Sequence, residues 1–527
     1  MISGRIALRA CVAAVALAGF TASAGLAQTG DRYIVKFRPG RAAAGAAAVR
    51  AAGGQVVVTL GPQDAVAVRI PAAALNGLSR NPNVEFVEED VVREPLAFAN
   101  TTVAGETMPY GIQMVQANLV SSTNAAGRKI CIIDSGYSQQ HQDLKDDVTA
   151  KVTDSGSGTW NKDSCGHGTH VAGTIAAIGG NGVGVVGANP DVALHIVKVF
   201  GNDDLNGGAC GWTYSSNLVN ALNACTAADA NVVSMSLGGT LKSRTEEIAF
   251  ANAYANNVLS IAAAGNGGNT KVSYPAGYAS VVSVAALDAT ETLASFSQRN
   301  ADVELAAPGV SVLSTVPYKD LNNLTADAIT WEGGRIDGAP RTAGTLGGLA
   351  DGGRCTAAGA WSGRVVLCER GDISFADKVR NVQAGGGRAA VIYNSAASDA
   401  TCGVFAGTLG DRPRTSIPAT TLSCADGAAA KGHLGANGDV VSRLSAPDSG
   451  YESFDGTSMA TPHVSAVAAL VWSCNPGLSA ADVRQVLDAT AKDEGAAGRD
   501  ASFGFGLVQA KAAVDSLTSQ GKNVYCQ

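Results

Sequence analysis

From Lys129 onward, short continuous apolar runs alternate with segments of helical periodicity. Lys129-Ile130-Cys131-Ile132-Ile133, Val192 to Phe200, Val232 to Leu237 and Val258 to Ala263 are rich in β-branched residues, the pattern of strands covered on both faces. Ser215 to Thr226 reads as a helix between two of them. Met459 to Trp472 is rich in Ala and Val and has no charged residue, as expected of a helix buried on nearly all sides. The alternation predicts an α/β domain, a mostly parallel sheet with helices on both faces.

Asp31 to Pro95 follows another rhythm. Tyr33-Ile34-Val35-Lys36-Phe37 alternates like a strand, Ala42 to Ala52 is helical, Gln55 to Leu60 and Ala65 to Ile70 are β-branched runs, Pro71 to Leu78 is a second helix and Val84 to Val87 a last strand. This β-α-β-β-α-β order is that of a ferredoxin-like unit. Leu96 to Ala104 reads as a linker. Ahead of the unit, Arg5 and Arg9 precede the uncharged run Ala10 to Leu26, with small residues before Ala24 and Ala27, the pattern of a secretory signal peptide. The run is short for a membrane anchor and is broken by Gly19, Thr21 and Ser23. The expected organisation is a signal peptide over 1–27 and a removable pro-segment and linker over 28–104, followed by a main domain; the family resemblance given below implies that this domain runs over 105–316 and 450–527 around an insertion over 317–449. Within the insertion, Gly363 to Gly371, Phe375 to Ala384 and Ala389 to Asn394 read as strand, helix and strand. No GxGxxG follows the first of these strands, so nucleotide binding is not indicated.

Composition narrows the function. Charged residues are 16% of 527 and glycines number 64, which suits a tightly packed, loop-rich protein. A net charge of -7 without a Lys/Arg cluster argues against nucleic acid as a partner. Of eleven cysteines, Cys11 falls in the signal peptide, and an even number remains for disulfides in an exported chain. With six histidines, a catalytic imidazole has few candidates.

Four stretches carry candidate chemistry. In Gly456-Thr457-Ser458-Met459-Ala460-Thr461-Pro462, Pro462 is expected in the first turn of the buried helix, which puts Ser458 at a helix N-terminus where developing negative charge is favoured. Alone, such a serine is an N-cap. Asp134 ends the strand at Ile133, where open α/β sheets place their chemistry, although a lone loop Asp is usually solvated. His167, in Cys165-Gly166-His167-Gly168-Thr169-His170, precedes the small-residue helix Val171 to Ile178. A zinc site on His167 and His170 lacks the Glu of HExxH and a third ligand, and His170 is expected to be packed structurally. Asn266 lies between glycines after a strand, which by itself means a turn.

Together, IIDSG with Asp134, HGTHVAGT with His167, AAAGN with Asn266 and GTSMATPHV with Ser458 resemble the subtilisin family of serine proteases. The resemblance spans about Glu106 to Val514, apart from the insertion. It implies Ser458 as nucleophile, His167 as general base and acid, Asp134 as its orienting carboxylate and Asn266 in the oxyanion hole, with no catalytic cofactor. It further implies substrate contacts along Ser236, Leu237 and Gly238 and a specificity pocket of Ala263, Ala264, Gly265 and Ser273. No carboxylate stands among these residues, so a broad endopeptidase favouring large apolar side chains at the cleaved position is expected. Structural Ca²⁺ is implied at Glu106, Asp143 and Asn181. The insertion resembles a protease-associated domain, and residues 28–104 resemble the family's inhibitory propeptide, self-cleaved between Pro95 and Glu106. The expected partners are protein or peptide substrates and the chain's own propeptide, without nucleic acid or a membrane anchor, in a secreted enzyme. The expected bridges are Cys355 with Cys368, Cys402 with Cys424, Cys165 with Cys210 and Cys474 with Cys526, leaving Cys131 as an unpaired apolar residue. Two other readings compete. One is a catalytically inactive binding protein that recognises through its insertion. The other is an α/β-hydrolase esterase, against which Ala460 stands where GxSxG needs glycine.

Overall fold

The computed structural model of the chain describes residues 32–95, 98–99, 105–152, 158–163, 165–200, 210–318, 320–399, 401–410, 415–444, 450–522 and 524–526. The expected signal peptide lies outside the described residues. A central sheet runs in the order Val303–Pro308, Val281–Leu287, Leu259–Ala263, Val232–Met235, Lys129–Asp134, Ala193–Lys198, Thr149–Val152. All of its pairings are parallel.

Both faces of this sheet are covered, which is why its strands read as unbroken apolar runs. Ile130 and Ile132 point to the face covered by the helix Thr457–Cys474, and Cys131 and Ile133 to the face covered by Ser215–Ala227 and Arg244–Ala255. Every residue of Thr457–Cys474 is buried. Each Val, Leu or Met it hides contributes about 1.5–3 kcal/mol relative to exposure. The same alternation corrects the expectation for Cys131. Its side chain meets the helix Ser215–Ala227 across the core, and it is bonded to Cys225 with a Cα–Cα distance of 5.6 Å. That bridge closes a loop spanning 94 residues, enough to remove roughly 4–5 kcal/mol of unfolded-chain freedom. The four expected bridges are also present.

Residues 32–89 form an antiparallel sheet in the order Gln55–Leu60, Ala65–Arg69, Arg32–Phe37, Val84–Glu89, with the helices Ala42–Ala51 and Ala72–Ser79. One face of it packs on its own helices through Val35, Phe37, Val49, Val66 and Val68. The other presents Ile34, Leu60, Ala65 and Ala67 to Leu218, Leu222 and Phe250 of the main unit. A second seven-stranded sheet lies between Asp320 and Leu444, in the order Ile329–Glu332, Asp320–Ala326, Asn437–Leu444, Thr342–Asp351, Arg364–Glu369, Ala389–Tyr393, Ala419–Leu422. Its first three pairings are antiparallel and its last three parallel. No described helix is long and apolar enough to cross a membrane.

Candidate active site

The candidate residues gather at the carboxyl edge of the central sheet. Three adjacent strands end there: Lys129–Asp134 in Asp134, Val232–Met235 ahead of Ser236, and Leu259–Ala263 ahead of Asn266. The helix His167–Ala176 begins at His167 itself, four residues earlier than its apolar run predicts, and it packs on Thr457–Cys474.

Asp134 is fully buried and accepts the Nδ1 hydrogen of His167 at 2.7 Å. This holds one tautomer and turns Nε2, which has no hydrogen-bond partner among the described residues, to the other side of the ring. Burial opposes charging the imidazole most strongly of any single cause, but the charge and hydrogen bond of Asp134 together with the Asp163 charge outweigh it, so the His167 pKa is raised. The four motifs did not reveal Asp163. Its carboxylate accepts from Ser135 Oγ at 2.8 Å, Gly166 N at 3.0 Å, and Thr169 N and Oγ1 at 2.7 and 2.5 Å, tying the turn before His167 to the residue after Asp134. An acidic residue three positions before the glycine that precedes His167 is the sequence signal for this contact. His170 is packed, as expected. It stacks on Phe454 at 4.2 Å, and its Nε2 lies 2.9 Å from the Val312 carbonyl.

Ser458 is the second residue of its helix, so Pro462 is not in the first turn as expected but one turn inside. Proline there leaves the Ser458 carbonyl without its i+4 donor. The Ser236 hydroxyl donates to that carbonyl instead, at 2.7 Å. In return, the Ser458 hydroxyl donates to the Ser236 carbonyl at 3.0 Å. Asn266 is fixed from the same helix start: its Oδ1 accepts from Thr457 N at 2.9 Å and Thr457 Oγ1 at 2.7 Å, which turns the amide nitrogen the opposite way.

The residues expected to contact substrate also come together. Leu237–Gly238 forms a short edge strand, and Ala263, Ala264 and Ser273 are buried beside it. A Cβ on Gly238 would lie 2.3 Å from Ser273 Oγ, so the serine closes directly on the glycine. On that edge lies Val92–Pro95 of the same chain, antiparallel, with Gly238 opposite Glu94 and Leu237 opposite Pro95. Thr213–Tyr214 flanks the other side of Val92–Pro95. Phe98–Ala99 then pairs with Phe454–Asp455, next to the Ser458 helix.

Glu106, Asp143 and Asn181 converge on the loop 179–185. Glu106 accepts from Gly180 N at 2.6 Å, and Asp143 accepts from Asn181 Nδ2 at 2.7 Å and Val185 N at 2.8 Å. Burial, with the Glu106 charge adding to it, pushes the Asp143 carboxyl up to about 6. Two acidic groups share this site without a cationic side chain, but their oxygens already accept N–H donors and no cluster of three His, Cys, Asp or Glu suited to a metal stands among the described residues. His141 walls the site. Its Nε2 donates to the Gly450 carbonyl at 2.8 Å, its ring stacks on Tyr318 at 4.8 Å, and burial lowers its pKa to about 4.

Fold and edge together define the class: a serine endopeptidase built on a parallel α/β sheet. The chain belongs to the subtilase family, whose model matches residues 125–333 and 381–506. Subtilisin E of Bacillus subtilis (strain 168) is 32% identical over 305 residues, covering 56% of this chain and 76% of that protein. Subtilisin DY of Bacillus licheniformis is 41% identical over 226 residues, 41% of this chain and 79% of the relative. Among solved structures, the psychrophilic subtilisin-like protease Apa1 from the Antarctic psychrotroph Pseudoalteromonas sp. AS-11 is similar with a TM-score of 0.52 and 39% identity, covering 79% of this chain and 99% of its own.

Proposed function

We propose that the enzyme is secreted as a self-processing zymogen and cleaves peptide bonds through Ser458, His167 and Asp134. Rotation of the Ser458 hydroxyl from the Ser236 carbonyl to Nε2 of His167 lets the imidazole take the proton as Oγ attacks the carbonyl. Asp134 stabilises the imidazolium, which then protonates the leaving amine and leaves an acyl-enzyme for water to hydrolyse. The Asn266 amide and the backbone N–H of Ser458 hold the oxyanion. Ser236, Leu237 and Gly238 bind the substrate backbone by strand addition, while Ala263, Ala264, Gly265 and Ser273 form a pocket for large apolar side chains.

The observation that carries this reading is the seat of Val92–Pro95 on Leu237–Gly238, an extended peptide laid along the edge that leads to Ser458. Residues 28–104 then act as an intramolecular inhibitor. Two of their carboxylates cap helices of the main unit: Glu88 accepts from Arg244 N and Thr245 N, each at 2.8 Å, and Asp90 accepts from Ser216 N at 2.7 Å. Self-cleavage falls between Pro95 and Glu106, downstream of the residues seated on the edge. Residues 317–449 form an inserted, protease-associated-like domain that flanks the cleft. Ca²⁺ on Glu106, Asp143 and Asn181 supplies a counter-charge for the buried carboxylate and no chemistry of the reaction.

Expression of Ser458→Ala tests the assignment. The precursor should persist uncleaved by mass spectrometry and resist a serine-directed phosphonate, whereas normal self-processing refutes it. If the unsubstituted chain with Ser458 in place neither processes nor labels, the protein is instead an inactive binding protein.

A further inference from the structure

Arg93 turns inward from the strand Val92–Pro95. Its side chain is fully buried, and the guanidinium forks onto the equally buried Glu246, Nε to Oε1 at 3.2 Å and Nη2 to Oε2 at 2.5 Å. Tyr278 donates its hydroxyl to the same Oε2 at 2.6 Å. Gly239 leaves the room: a Cβ there would stand 3.0 Å from Arg93 Nη1. Glu246 and Tyr278 belong to the main unit, on the helix Arg244–Ala255 and behind the edge strand.

A buried ion pair between two packed units is often structural. The difference here is the route by which the cation enters. Arg93 arrives on a strand added to the edge Leu237–Gly238, one residue from Glu94, which sits opposite Gly238. A side chain at that position therefore occupies the place of a substrate residue upstream of the cleaved bond. Without the strand, the described partner left to the Glu246 carboxylate is the Tyr278 hydroxyl. Lys242 is engaged elsewhere, on Glu247 at 2.8 Å. A pocket meant for an apolar side chain would not carry a buried carboxylate at its base.

We propose that Glu246 and Tyr278 form a buried acidic subsite that selects substrates with arginine at the position Arg93 holds. This rests on reading Val92–Pro95 as a substrate-like segment. It adds a charged requirement remote from the apolar pocket at Ser273. Arginine is favoured over lysine because its planar fork meets both carboxylate oxygens, as the two Arg93 contacts do.

The test compares a synthetic peptide of the chain's own residues 90–100 with its Arg93→Lys and Arg93→Leu versions, cleaved by the enzyme processed from the full chain. The arginine peptide should exceed the leucine peptide in kcat/KM by about a hundredfold, the effect of leaving one buried charge unpaired, with lysine between. Glu246→Gln should erase that preference and Glu246→Leu should reverse it, but the wild-type comparison decides even if neither variant folds. Equal or better cleavage of the leucine peptide by an enzyme whose Ser458 takes the phosphonate overturns the acidic subsite alone. Cleavage of no peptide, with Ser458 unlabelled, overturns the endopeptidase reading as well.

Discussion

Ser236 and Ser458 exchange two hydrogen bonds, each hydroxyl donating to the other residue's carbonyl, at 2.7 and 3.0 Å. The first compensates for Pro462, which cannot donate to the Ser458 carbonyl from one turn further along the helix. Removing the Ser236 hydroxyl strands a buried acceptor, so Ser236→Ala should destabilise the protein by about 1–3 kcal/mol. Pro462→Ala restores an N–H to that carbonyl and should recover part of the loss. A double-mutant cycle in denaturant measures the coupling, and strict additivity would show that the two groups do not serve the same carbonyl.

Asn266 is held through its oxygen by Thr457, which turns its nitrogen the opposite way, and the proposed mechanism assigns that nitrogen to the oxyanion. Asn266→Ala should lower kcat by about a hundred- to a thousandfold with little change in KM. A variant that changes KM alone would move Asn266 from transition-state stabilisation to ground-state binding.

In the mechanism proposed above, the raised pKa of His167 sets the acid limb of activity. Only the neutral imidazole accepts the Ser458 proton, so kcat/KM should fall as pH drops through a value above the ordinary histidine pKa of 6.5. Asp163→Asn removes a charge that favours the imidazolium, and the limb should move to lower pH while the alkaline side stays in place. An unmoved limb would leave Asp163 a helix cap without electrostatic influence on His167.

At the loop 179–185, the Asp143 carboxyl titrates at about 6 in the fold, above its ordinary 3.8. The unfolded chain gives up this proton first, so the site loses stability as pH rises from about 4 through about 6, and the loss is complete above that range. A bound cation offsets it. The difference in Tm between Ca²⁺ and a chelator should therefore be small near pH 4 and grow above about pH 6. A chelator without effect at either pH would rule the calcium site out.

Much of the site was legible because its members sit at element boundaries, where local chemistry decides structure. Asp134, Asn266 and Ser458 each mark the end of an apolar run or the start of one. The partners that orient them were less visible. Asp163 reads as an ordinary loop carboxylate until Thr169 and Ser135 close on it. Pro462 was misplaced because a proline inside a helix is tolerated only when another donor serves the stranded carbonyl, and that donor, Ser236, lies 222 residues away. Cys131 looked like an apolar strand residue, because which face it points to, and that Cys225 waits there, depends on how the helix Ser215–Ala227 crosses the sheet.

Periodicity and side-chain chemistry give the alternation of buried strands and helices, the order of the four motifs and the residue types able to carry acyl transfer. Tertiary structure alone decided which groups meet. The pairing of Val92–Pro95 with Leu237–Gly238, the Arg93–Glu246 fork and the exchange between Ser236 and Ser458 join residues 142 to 222 positions apart. Contacts at such separation depend on how layers pack and chains cross, and no local pattern encodes them.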